Sequence, residues 1–222
     1  MAALGAALAL AACGGSGGNG VASKSPDQIL NAASNAMIGA KSFRASVSGM
    51  TDGDTLDGQL DLVANHGASG TFIAGHGVLD LVVTGGTIYM RGNSAIWDLL
   101  THNTAAGQLL GGRWVKASAS DTSLSGVTDL AQLNFTNFTH AIRQDDGTVT
   151  KGSTSTVNGQ KVIALHSSKG GTVYVATTGK PYLVRSVGGT IGSATFSDFG
   201  HSFSINPPHK AINIGQLQKL DG

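Results

Sequence analysis

Short stretches in which apolar and polar residues alternate, divided by glycine-bearing turns, run through most of this chain. That pattern restricts it to an antiparallel sheet with one buried face. In Asp57-Gly-Gln-Leu-Asp-Leu-Val-Ala64, Leu60, Leu62 and Ala64 fall on one face while Asp57, Gln59 and Asp61 fall on the other. Further strands are expected at Ala45–Met50, Ser69–Gly75, Val78–Thr84, Thr87–Arg91 and Arg113–Lys116. The pattern resumes at Thr148–Ser155, Lys161–Ser167, Thr172–Ala176, Tyr182–Val187 and Ile191–Phe199, about eleven strands in all. Gly85-Gly86 and Asn158-Gly159 each carry the signal of a two-residue hairpin turn, which needs positive φ at both positions.

Period 2 gives way to helical spacing in three places. Ser25, Pro26 and Gln28 form a capping-box signature, and Ile29, Leu30, Ala33, Ala36, Met37 and Ala40 follow as an apolar stripe. A helix of about 15 residues is therefore expected there. Asn93 to Gly112 holds a looser helical pattern, and Ser123 to Ile142 a firmer one with Leu124, Val127, Leu130, Phe135 and Phe138. Helices at the start and in the middle of one meander predict a single α+β domain over residues 25–222, its helices gathered on one face of the sheet.

Charge and chemistry exclude several functions. With 14 Lys+Arg against 13 Asp+Glu the net charge is +1, which supplies no basic field for nucleic acid. No apolar run is long enough to span a bilayer as a helix. The seven histidines are scattered, with no zinc-binding spacing, and no metal or cofactor is expected. His66 and His76 lie near strand ends as solvated turn residues, and His166 is expected half-buried beside Val162 and Ala164. Asp52, Asp54 and Asp57 lack the glycine and terminal glutamate of a calcium loop, and Asp145-Asp146-Gly147 reads as a turn. There is no glutamate anywhere, and no nucleophile–base pair can be assembled, so an enzyme is not expected.

The N-terminus is of another kind. Met1 to Ala12 contains only Met, Ala, Leu and Gly, the composition of a signal-peptide core. No Lys or Arg precedes Lys24, so the basic start of that signal peptide is expected upstream. Leu10-Ala11-Ala12-Cys13 resembles the lipobox of bacterial lipoproteins. The resemblance implies that the Cys13 thiol takes a diacylglyceryl group and that cleavage leaves Cys13 as the mature N-terminus. Cys13 is the chain's only cysteine, so it has no disulfide partner here. Gly14 to Lys24 has the composition of a flexible Gly/Ser tether with a reach of roughly 20 Å.

Lipobox, tether and a Ser-Pro-x-x-Ile-Leu helix are followed by Thr87-Ile-Tyr-Met-Arg91 and Gly112-Arg-Trp-Val-Lys116. Later come Thr178-Gly-Lys-Pro181, then Ala194-Thr-Phe-Ser-Asp-Phe199 and Ile205-Asn-Pro-Pro208. Together these segments resemble the actinobacterial LppX/LprG-type lipoproteins over most of residues 25–210. The resemblance implies a LolA-like fold: a strongly curved antiparallel sheet, a half-barrel, whose concave face is covered by helices. It also implies an apolar cavity that accepts acyl chains of a lipid or glycolipid, with envelope transport proteins as possible partners. Removing an alkyl tail from water is worth about 0.8 kcal/mol per methylene, so such a site needs no catalytic signature. Candidate cavity walls are Ile29, Ala33 and Met37 on the first helix, with Leu60, Leu62, Ile88 and Met90 on strands. Trp97 is a candidate at the opening. The expected protein is a lipid-anchored carrier on the extracytoplasmic face of the cell membrane. The alternative is an envelope lipoprotein of the same fold with a filled core, acting as an interaction or assembly factor.

Overall fold

The computed structural model describes residues 17–51, 53–101, 103–119, 134–141, 147–188 and 192–214. Cys13, the signal-peptide region, His102, Asp52, Asp145, Asp146 and most of the predicted helix at 123–142 lie outside them.

The chain enters through a helix, α1 (Pro26–Ala40), whose start follows the sequence signature. The Ser25 side chain accepts from the Gln28 N–H, and the Gln28 side chain accepts from the Ser25 N–H. Five strands follow as a meander: β1 (Ser42–Thr51), β2 (Asp54–Val63), β3 (Gly67–Ala74), β4 (Gly77–Thr84) and β5 (Thr87–Gly92). Two short helices, α2 (Ser94–Thr101) and α3 (Thr104–Leu110), replace the single loose helical stretch expected at 93–112. The break between them is set by Asn103, whose side chain accepts from the N–H groups of Ala105 and Ala106 and so begins a new helix. β6 (Trp114–Ser118) and α4 (Phe135–Ala141) precede a second meander of β7 (Val149–Val157), β8 (Gln160–Ser167), β9 (Thr172–Ala176), β10 (Leu183–Val187) and β11 (Ser193–Ser197). A two-residue strand, β12 (Ile212–Asn213), ends the described chain.

All twelve strands form one open, curved, mostly antiparallel sheet in the order β12-β6-β5-β4-β3-β2-β1-β11-β10-β9-β8-β7. The α+β architecture expected from the sequence is the one observed. β12 is the additional strand; it lies parallel to β6, pairing Ile212 with Val115, and two residues are too few to show a period. β1 holds the sheet together, pairing Ala45 with Leu60 on one side and with Phe196 on the other. Both predicted hairpin turns have the required geometry: φ is 56° and 72° at Gly85 and Gly86, and 49° and 77° at Asn158 and Gly159.

The two faces of the sheet differ as the alternation predicts. The inner face carries Phe43 and Ala45 of β1, Leu60 and Leu62 of β2, Leu81 of β4 and Ile88 of β5, all buried. The outer face carries a polar row in register across four strands: Gln59, Thr71, Asp80 and Arg91. There Thr71 donates to Asp80 at 2.8 Å, Arg91 donates to the same carboxylate at 2.8 Å, and its guanidinium lies over the Trp114 ring. α1 packs on β1, β7 and β10, and α2 on β4 and β5, so the helices cover the apolar face.

The end of the expected tether is part of the fold. Asn19 Nδ2 donates to the carbonyls of Ala176 and Gly179, and the Asn19 N–H donates to Thr177 at 2.7 Å. Val21 is 2% exposed and belongs to the core, and Lys151 Nζ donates to the carbonyls of Ala22 and Lys24. Composition alone predicts free coil over 14–24; the side chains of Asn19 and Val21 make residues 19–24 a docked strap instead. His166, expected half-buried, is exposed, with Nδ1 2.9 Å from Thr172 Oγ1.

Candidate functional site

The interior between sheet and helices is one apolar layer. It runs from Val115 on β6 across Leu81, Leu62 and Phe43 to Leu183 and Ile163 in the second meander. The seven residues proposed from sequence as cavity walls, and Trp97, all lie in this layer. Ile29, Ala33 and Met37 are 0% exposed on the buried side of α1. Leu62, Ile88 and Met90 are also 0% exposed on the inner face, Leu60 is 5% exposed, and Trp97 is 1% exposed on the buried side of α2. The indole N–H of Trp97 has no hydrogen-bond partner among the described residues. Such a buried, unpaired donor costs about 1–3 kcal/mol, so it is an unusual feature of an otherwise apolar layer. Trp97 is thus a wall of the interior and does not stand at a surface opening.

Four aromatic rings close one end of this layer. Phe43 lies 5.4 Å from Phe135 and 5.3 Å from Phe138, and Phe138 lies 5.1 Å from Phe196. Phe135 and Phe138 belong to α4, which is tied to α1 by a buried hydrogen bond from Ser34 Oγ to the Thr139 carbonyl at 3.0 Å. Thr139 in turn donates to the Phe135 carbonyl within α4.

Outside these rings is a groove of about 800 Å³. Four segments build it: the end of α1 with Lys41 and Ser42, the β2–β3 turn, α4, and residues 200–203 after β11. Phe135 and Ala64 belong to both the groove lining and the interior layer, so these side chains form the wall between the two. Among the described residues the polar lining consists of Lys41, His66, His140 and His201 with Ser, Thr and Asn side chains, and holds no carboxylate. Lys41 sits in the left-handed region at φ 64°, where it ends α1. The 200–203 segment is fixed by Ser42 Oγ, which donates to the His201 carbonyl at 2.7 Å. Phe203 is held under the Arg44 guanidinium, 5.1 Å from its ring centroid. Arg44 is itself doubly bonded to Asp61, at 2.6 and 3.0 Å, and lies 3.4 Å from Asp198. The Asp61 hydrogen bonds raise the Arg44 pKa further above its ordinary value, against a smaller lowering by burial.

No protein family and no curated protein matches the sequence. Among solved structures, the chain is similar to an uncharacterised conserved protein from Thermus thermophilus, at 9% identity over 84% of this chain and 96% of that one, with a TM-score of 0.45. A LolA superfamily protein from Nitrosomonas europaea matches at 11% identity over 79% of this chain and 92% of that one, TM-score 0.25. An outer membrane lipoprotein-sorting protein domain from Vibrio parahaemolyticus matches at 11% identity over 82% and 95%, TM-score 0.28. Scores this low assign no relative.

None of the eight sequence-derived candidates lines the groove; of the residues that do, Ala40, Ala64 and Phe135 were read from sequence as apolar positions of helices and a strand and His66 as a turn residue. His66 does lie in a turn, as expected, but that turn is one wall of the groove. Among the described residues no group of His, Cys, Asp or Glu is placed to hold a metal ion, and no helix is long and apolar enough to cross a membrane.

Proposed function

We propose that this protein is a lipid-anchored, non-enzymatic carrier of the cell envelope that binds or transfers an acyl lipid or glycolipid between its sheet and helices. The observation that carries this reading is the continuity of groove and interior. A groove lined by Lys41 and three histidines, with no carboxylate among the described residues, meets, across Phe135 and Ala64, an apolar layer that spans the sheet. A layer of that kind takes alkyl chains by burial alone, and a ten-methylene segment would contribute about 8 kcal/mol. The lipobox-like Leu-Ala-Ala-Cys13 supports anchoring at the extracytoplasmic face, and the resemblance to LppX/LprG-type lipoproteins supports the same assignment. A second reading, an assembly factor with a filled core, is favoured by Leu99 and Leu109, which are 38% and 53% exposed on the paired helices α2 and α3.

The test is native mass spectrometry of the full chain carrying Cys13→Ser, purified from an actinobacterial host. A reproducible adduct with the mass of an acyl lipid is expected. A bare protein mass, with no uptake of added phospholipid or glycolipid, would sink the carrier and leave the assembly factor.

A further inference from the structure

We infer that the groove is the port through which an amphiphile with an anionic headgroup passes into the interior, and that the docked strap turns this port toward the bilayer holding the anchor. The inference rests on the carrier reading and assigns it a place and a headgroup chemistry. The groove has the size of a small-molecule site, and its polar groups converge over an apolar floor. Its ionisable lining among the described residues is Lys41, His66, His140 and His201, with no carboxylate among them to oppose an anion. Asp61 and Asp198, the described acids on the adjoining strand and turn, are both engaged by Arg44. An amphiphile seated here would set its charged head against Lys41 and its tail against Phe135 and Ala64, side chains shared with the interior.

The topology supplies the orientation. α1 delivers the chain to the start of β1 at the end of the sheet where β2 finishes, and the groove opens there. β11, antiparallel to β1, finishes at that end, β10 starts there, and β9 finishes there. Asn19 grips that end of β9 through Ala176 and Thr177. β9 lies three strand spacings from β1, about 14 Å across the sheet. Cys13 precedes Asn19 by six residues, which span at most about 20 Å when extended. A lipid on Cys13 thus keeps the groove end of the sheet next to the bilayer, and headgroups are what that end meets.

The test uses the full chain carrying Cys13→Ser, mixed with vesicles of phosphatidylcholine and phosphatidylglycerol and recovered for native mass spectrometry. The parent is expected to take up phosphatidylglycerol in preference. Thr136→Trp places an indole in the groove from an exposed position of α4, and uptake should fall by about tenfold with the melting temperature unchanged. Should that variant fold poorly, His140→Trp, from another exposed groove position, serves in its place. Lys41→Asn keeps a residue that tolerates φ 64°, and should erase the preference for the anionic lipid while leaving total uptake intact. Full uptake by a folded tryptophan variant would overturn the port and leave the carrier standing. No uptake by the parent would overturn both.

Discussion

At Gly70 the sheet has no room for one more carbon. The residue lies on the inner face opposite Leu60, and a Cβ there would run into the Gln59 carbonyl oxygen and the Leu60 Cα. Both obstacles are backbone, so no side chain can swing aside to admit it. Gly70→Ala is expected to destabilise the fold by about 2 kcal/mol, read as a lower urea midpoint with an unchanged slope. Gly58 represents the gentler case. The Phe72 ring of the neighbouring strand lies over it and fills the space its missing side chain leaves. The high glycine content, 33 residues, was legible as a sign of turns, but which glycines are squeezed between strands was not. That depends on cross-strand register, which only the assembled sheet defines.

Among the elements, α1 was the most legible, because its signals are local. The capping box and apolar stripe both lie within the helix, and Ile29, Ala33 and Met37 are buried as the stripe requires. α4 is the opposite case: with seven residues it is too short to persist alone, and tertiary contacts must hold it. Its buried tie to α1 is the hydrogen bond from Ser34, a residue 0% exposed that sequence reasoning passed over as one small polar residue on a helix. Ser34→Ala removes this bond and leaves the Thr139 carbonyl buried. It should cost about 1 kcal/mol globally, with faster hydrogen exchange concentrated in 135–141. The groove escaped the sequence for a related reason. Its lining comes from four segments between residues 38 and 203, and no local period or motif marks residues that meet only through topology.

At the scale of the whole molecule, the strap shows composition and side chains pulling in different directions. Glycine and serine around it favour open coil, whereas Asn19 satisfies two carbonyls at the β9–β10 turn and accepts from the Val21 N–H at 3.1 Å. Asn19→Ala should release the strap without unfolding the sheet. The expected result is rapid exchange and ready proteolysis at residues 19–24, with a melting temperature lowered by only a few degrees.

The strand order also governs how this chain can fold. Each meander joins strands that follow one another in sequence, so β1 to β5 and β7 to β11 zip up from neighbouring strands at little entropic cost. The seam between β1 and β11 is different, because Ala45 must find Phe196 across nearly the whole domain. The seam is the most non-local pairing between the two meanders, and during synthesis it must wait for almost the whole sheet. Until Ser197 has emerged, the first meander carries a bare β1 edge with an apolar face beside it, and that edge is the place where a nascent chain of this fold must be kept from pairing with its neighbours.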